Sequence, residues 1–344
     1  MGLLKSWLVG RFGGVAAGQQ AGQTEERPSA AGQPQAGVLT GQGSDRARHG
    51  LRWRVRHALP YYAVLLPTLL GLLVFDYYPA FLAVYHSFFE WDIGLPATWV
   101  GIDNFVRMFT QDRTFLRSLR NVGIITVWIM FQATVIPLVV AELIFAVKSM
   151  RWKYWFRIGM ILPAIIPGIV VFLLWRFIYD GSVGLLNAFL TAIGLESWTR
   201  VWLGDPRIAI WALTFSGFPW VNGVNTLITL AGLQNINGEI LESSELDGAS
   251  RLQRIWRLDI PLVFGQIKLN LVRAIIASIQ IFEVVFVMTE GGPIKSTMVP
   301  GLWLYYNAFN YHRMGYASAI GVFIFVTILL LTLTSMRIFR EERA

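Results

Sequence analysis

Glu242, Asp247, Arg251, Arg254 and Arg257 fall within one hydrophilic stretch, residues 242–261, set between two long apolar ones. Carboxylates followed by guanidiniums at this spacing suit recognition of a protein or headgroup surface rather than bond-making, and no motif places a nucleophile–base pair here. His49, His57, His86 and His312 are scattered and form no ligand pair at helical spacing. The absence of cysteine excludes disulfides and thiolate metal sites. No residue is assigned a catalytic or metal-binding role.

Helix signals surround the charged residues. Asn237 can cap a helix whose first turn carries Glu239 and Glu242, as the helix dipole favours. Leu241 and Leu246 give that helix an apolar side, and Asp247-Gly248 breaks it, because glycine permits a bend that a side chain resists. Ser250 can cap a second helix with Leu252, Ile255 and Trp256 on one face and Arg251, Arg254 and Arg257 on the other. Pro261 marks the entry to the next apolar stretch. Two short helices with a glycine hinge are therefore expected over residues 237–261. Periodicity alone leaves two occupants for their exposed faces, an aqueous protein partner or the lipid headgroups.

These helices must be held by a membrane scaffold. Of the 344 residues, 55% are hydrophobic and 15% charged, and the mean hydropathy is +0.52. Only helices or closed barrels satisfy their backbone groups inside lipid, and runs of about 20 apolar residues indicate helices. The chain is expected to be an all-α polytopic membrane protein with spans near 59–87, 119–147, 156–180, 207–233, 262–289 and 317–337. Pro67, Pro79, Pro163 and Pro167 predict kinks in the first and third spans.

Basic residues cluster on one side of this arrangement: Arg46 to Arg56, Lys148 to Arg157, Arg251 to Lys268 and Arg337 to Arg343. The opposite loops carry mixed charge, so both termini and the 237–261 loop are expected in the cytoplasm of a multi-pass cell-membrane protein. The net charge of +8 reflects that topology and calls for no nucleic-acid partner. Residues 1–56 read as a disordered cytoplasmic tail, 57–118 as the first span with its external loop, and 119–341 as the core domain. Met1-Gly-Leu-Leu-Lys-Ser6 touches the myristoylation and signal-peptide patterns. Arg11 and Gly13-Gly14 interrupt the apolar run that follows, so neither targeting reading is adopted and an interface-touching segment is expected. Trp53, Trp91, Trp152, Trp155, Tyr305 and Tyr306 read as an aromatic belt.

Several motifs in order resemble the permease subunits of binding-protein-dependent ABC carbohydrate importers, the branch with the maltose and glycerol-phosphate permeases. Glu242-Ser-Ser and Asp247-Gly-Ala249 stand where that family has its EAA loop, and Leu258-Asp-Ile-Pro261 resembles the loop's ending. Gly101-Ile-Asp-Asn-Phe105, Leu162-Pro163, Trp175-Arg-Phe177 and Gly184-Leu-Leu-Asn187 are similar to other family segments. So are Leu230-Ala-Gly-Leu-Gln234, Thr289-Glu-Gly-Gly-Pro293 and Met314-Gly-Tyr-Ala-Ser-Ala319, although Asn237 replaces the usual proline. The resemblance covers about residues 58–341.

What the resemblance implies is the six-helix type I importer permease fold and alternating access driven from outside the chain. Glu242, Ser243, Ser244, Asp247, Gly248, Ala249 and Arg251 would dock into a cytoplasmic ATPase. The chain has no Gly-x-x-x-x-Gly-Lys-Ser/Thr phosphate loop. ATP and Mg would therefore be bound by the partner, with no cofactor in this chain. The implied partners are two ATPase subunits, a second homologous permease, an extracytoplasmic solute-binding protein and the bilayer. The implied cargo is a sugar or polyol, contacted from the fourth and fifth spans by Trp220, Asn222, Asn225, Thr226, Ser278, Gln280, Ile281 and Glu283.

Asn225 and Ser278 could equally be packing glue between helices. Arg273 is expected near the cytoplasmic third of its span, which favours a neutral cargo over a phosphorylated one. Asp76 is expected to pair within the protein, and Glu142 to reach toward Lys148 at the interface. The alternative from another class, an ion-coupled secondary transporter, would call for inverted repeats and broken helices with ionisable groups at the midplane. No convincing internal repeat is present.

Overall fold

The computed structural model describes residues 51–338; of the tail expected over residues 1–56, residues 1–50 lie outside the described residues and 51–56 are helical. The helices are α1 (Leu51–Leu72), α2 (Tyr78–His86), α3 (Asp103–Thr110), α4 (Arg113–Phe145), α5 (Met150–Ile161) and α6 (Gly168–Ile178). They continue with α7 (Leu185–Ala192), α8 (Ala209–Phe215), α9 (Gly223–Gln234), α10 (Gly238–Leu246), α11 (Arg251–Arg254) and α12 (Ile260–Leu262). The last four are α13 (Phe264–Ile279), α14 (Glu283–Met288), α15 (Pro300–Tyr305) and α16 (Met314–Ile338). A two-stranded antiparallel ribbon, β1 (Phe89–Glu90) and β2 (Thr98–Trp99), pairs Phe89 with Trp99.

Among the described residues, three helical stretches are long and apolar enough to cross a membrane: Tyr61–His86, Arg113–Phe145 and Met314–Arg337. Two bent helix pairs are long and apolar enough only when each is taken together. Met150–Ile165 meets Gly168–Ile178 at 83°, and Arg251–Leu262 meets Phe264–Ile279 at 68°. The first bend falls at Pro167, which caps α6. The expected fourth span is not one helix, because α8 and α9 are separated by residues 216–222. Gly217 has φ of +82° and Trp220 of +57°, and Pro219 cannot donate a helical hydrogen bond, so the helix stops at Phe215. The expected fifth span likewise ends at Ile279, with α14 a separate piece.

Proline also explains two wide helical turns. A π turn over Leu73–Tyr77 precedes Pro79, and another over Ile255–Asp259 precedes Pro261. In each, the residue before proline bonds five residues back: Tyr78 N–H to Leu73 O, and Ile260 N–H to Ile255 O. Proline frees the carbonyl four residues behind it, and a one-residue bulge absorbs the fault without breaking the helix.

Within the unit that begins at Thr68, α4 runs against both α9 and α13. Toward one end, Phe115, Ile125, Leu302, Trp303 and Ile320 form the largest core. Toward the other, Ala141, Ile144, Leu230, Leu233 and Val263 form a second core. Polar bonds fix register between them. Asn270 Nδ2 donates to Asn225 O and to Thr229 Oγ1, both at 3.2 Å, tying α13 to α9. Asp112 caps α4 by accepting from Thr114 and Phe115 N–H, while its other oxygen accepts from Trp303 Nε1 at 2.6 Å and Tyr316 Oη at 2.7 Å.

Asp76 departs from expectation. It is exposed on the π turn, with no hydrogen bond or ion pair among the described residues. The wide turn carries its side chain away from the rest of the chain rather than into it.

Candidate functional site

The hydrophilic loop folds as two capped helices. Asn237 Oδ1 accepts from Glu239 N–H at 3.1 Å to start α10, and Asp247 closes it. Gly248 sits at φ of +74°, a left-handed conformation in which a Cβ would crowd the backbone. Ser250 and Gln253 then form a reciprocal capping box that starts α11. Glu242, Ser243, Asp247 and Gly248 are exposed and Ala249 is half-buried. Ser244 is buried, its hydroxyl donating to Leu241 O at 2.7 Å. Leu246, Leu252 and Trp256 are 89%, 70% and 70% exposed, an apolar surface beside the carboxylates.

Two arginines brace this loop and its junction with α4. Arg254 Nε meets Asp259 Oδ2 at 3.1 Å, with the Asp259 side chain fully buried. Arg251 Nη2 donates to Glu142 O at 3.4 Å, and Arg254 also lies over the Phe145 ring. Arg251 thus turns toward the membrane helix. Glu142 does not reach to the interface as expected, because it is buried where α4 meets the loop. Neither carboxyl oxygen of Glu142 has a hydrogen-bond partner among the described residues, nor does Asp259 Oδ1. Two buried carboxyls beside two guanidiniums make a junction whose members depend on one another.

The break between α8 and α9 opens a cavity of about 580 Å³ against α4 and α13. Trp220, Asn222, Asn225 and Gln280 line it, joined by Gln132 from α4 and Arg273 from α13. Asn222 also caps α9, its Oδ1 accepting from Asn225 N–H at 3.0 Å. Trp220 stands edge-on to Phe215, Phe218 and Trp128, which hold its ring upright. An aromatic plate with several amides is the mixture that binds a polyhydroxylated ring.

The other expected contacts lie elsewhere. Thr226 is fully buried and donates to Asn222 O at 2.8 Å, while Ser278 is fully buried and donates to Ile275 O at 2.8 Å. Ile281 packs on the large core, and Glu283 is exposed in the first turn of α14, away from the cavity lining. Gln132 was not among the expected residues; its only sequence signal is an amide within an apolar run. Arg273 lines the cavity, so the ground for a neutral cargo falls.

The family described as a binding-protein-dependent transport system inner membrane component matches residues 115–342. The probable ABC transporter permease protein YesP of Bacillus subtilis is 32% identical over 302 residues, covering 86% of this chain and 94% of the relative. The sulfoquinovosyl glycerol transport system permease protein SmoG of Agrobacterium fabrum is 29% identical over 281 residues, 81% of this chain and 90% of its own. A chain from the crystal structure of a bacterial ABC transporter involved in the import of the acidic polysaccharide alginate is similar in fold. Its TM-score is 0.75 at 26% identity, covering 86% of this chain and 99% of that one.

Proposed function

Because the chain belongs to the family of binding-protein-dependent transport system inner membrane components, we propose that it moves a carbohydrate through the cavity between α4, α9 and α13, driven by separate ATPase subunits. Its family makes it a multi-pass membrane permease of an ABC importer with the type I fold, and a component that is not itself catalytic. A second permease closes the open side of the cavity, and an external binding protein delivers the cargo. Both termini and the α10–α11 loop face the cytoplasm.

One observation carries this reading: the loop and the cavity share two helices. Gln132 in the cavity and Glu142 at the loop anchor both belong to α4, about 15 Å apart along its axis. The loop's second helix continues through α12 and a 68° bend into α13, which bears Arg273 and leads to Gln280. When ATP draws the ATPases together, Glu242, Asp247 and the exposed Leu246 and Trp256 move with them. The Arg251–Glu142 and Arg254–Asp259 contacts then pass that displacement into α4 and α13. Tilting these helices opens the cavity to alternate sides. Neither cofactor nor nucleotide is held by this chain in the scheme; ATP and Mg reside in the partner.

Family membership separates this mechanism from an ion-coupled one, which a broken span by itself would also fit. The experiment is purification of the tagged chain in mild detergent with its partners, followed by ATP hydrolysis measured with a panel of sugars. A co-purifying ATPase stimulated by a sugar is expected. Uptake that survives ATP depletion and collapses with an uncoupler would reject the proposal.

A further inference from the structure

Arg273 is a charge without an obvious counterpart. It sits about 14 Å along α13 from the start of that helix, within the segment that crosses the membrane. It is exposed and lines the cavity, and it makes no hydrogen bond or ion pair with any described residue. The cavity lining contains no aspartate or glutamate. An arginine at membrane depth is costly unless it pairs or faces water, and such residues mark substrate pathways. A water-filled groove removes part of that cost; a neutral sugar can accept from the guanidinium N–H groups but leaves its charge unneutralised. Its neighbours in the groove are Trp220, Asn222, Asn225, Gln132 and Gln280, all uncharged.

We infer that the cargo carries an anionic group, a carboxylate, sulfonate or phosphate, and that Arg273 receives it in the cavity. The inference rests on the carbohydrate reading and deepens it to an acidic carbohydrate. A guanidinium presents a planar fork of donors that matches two oxygens of such a group. The sugar ring then lies against Trp220, with its hydroxyls toward the amides of Asn222, Asn225, Gln132 and Gln280. The N-terminus of α9 opens on the same groove at Asn222, and its dipole adds to the positive potential. Arg251 and Arg254 of α11 are turned instead to the Glu142 backbone carbonyl and to Asp259.

The test uses the complete importer complex and exploits a chain with no native cysteine. Ala277 lines the groove one helical turn beyond Arg273. Ala277→Cys is labelled with an anionic sulfonatoethyl or a cationic trimethylammonioethyl methanethiosulfonate, and modification is read by the mass of this chain. With each rate divided by that for a free thiol, the anionic reagent is expected to react faster. Arg273→Gln is expected to lower the anionic-to-cationic ratio by about tenfold or more, and Arg273→Lys to keep most of it. A ratio within twofold in both backgrounds overturns the inference, since it would mean that a partner subunit already neutralises Arg273.

ATP hydrolysis is then measured with digalacturonate against galactobiose, and with methyl sulfoquinovoside against methyl glucoside. Stimulation by an acidic member, with its half-saturating concentration raised about tenfold or more in Arg273→Gln, supports the assignment. Stimulation by neutral members alone, indifferent to Arg273→Gln, overturns it and leaves the carbohydrate permease standing. A broad sugar panel without any stimulation would instead count against the carbohydrate reading, and the labelling ratio still decides the potential at Arg273.

Discussion

Arg254→Ala tests whether charge locks α11 to the π turn that leads toward α13. The substitution leaves the fully buried Asp259 carboxylate without its 3.1 Å partner and facing Glu142, itself buried and without a donor. Breaking a buried pair from one side costs about 3–5 kcal/mol. At about 1.4 kcal/mol per factor of ten, that is roughly two to four orders of magnitude in the local opening equilibrium. Hydrogen–deuterium exchange of the amides in α11 and the following π turn reads this opening directly. Exchange is expected to rise by at least about a hundredfold in Arg254→Ala. Removing both members, as in Arg254→Met with Asp259→Leu, deletes the orphaned charge and is expected to restore protection to within about tenfold. The reasoning fails if the single variant exchanges within about threefold of wild type, or if the double variant opens as readily as the single.

Other substitutions probe separate parts of the account. Asp112→Ala removes the cap of α4 and orphans the Trp303 and Tyr316 donors. It is expected to destabilise the protein by about 2–5 kcal/mol in thermal unfolding, with Asp112→Asn milder. Gly223→Ala places a Cβ against the Met160 carbonyl, so α5 and α9 must separate, at about 1–3 kcal/mol. Gly238→Ala, with open space around it, is expected to unfold as wild type does. Gly248→Asp strains a left-handed position and Glu242→Lys reverses an exposed charge. Both are expected to abolish transport while the chain still inserts in the membrane, and normal sugar-coupled ATP hydrolysis in both would remove the coupling role.

Local signals were readable wherever the determinant is local. Asn237, Gly248 and Ser250 announce caps and a hinge because each acts on the backbone within three residues. The break at residues 216–222 was carried by Gly217 and Pro219, but hydropathy averaged over a span hides it, since Phe218, Trp220 and Val221 keep the window apolar. The anchor of the loop was illegible because Arg251 and Glu142 are 109 residues apart. Their proximity depends on how α4 packs against the loop's helices. The cavity divides in the same way. The resemblance points to the fourth and fifth spans, where Trp220, Asn222, Asn225 and Gln280 stand out as polar or aromatic, whereas Thr226 and Ser278 stand out equally in sequence but spend their hydroxyls on their own helices. Arg273 was placed by its distance from the span end, but whether it faces lipid, cytoplasm or cavity depends on the rotation of α13, which the bend at Val263 sets.

The central claim is that this chain is the membrane path of an ATP-driven carbohydrate importer. The most direct measurement is uptake of a radiolabelled sugar into vesicles holding the purified complex and its binding protein, with ATP supplied at the cytoplasmic side. The account predicts uptake that requires ATP, ignores uncouplers and disappears in Glu242→Lys; uptake driven by an ion gradient and unchanged in Glu242→Lys would contradict it.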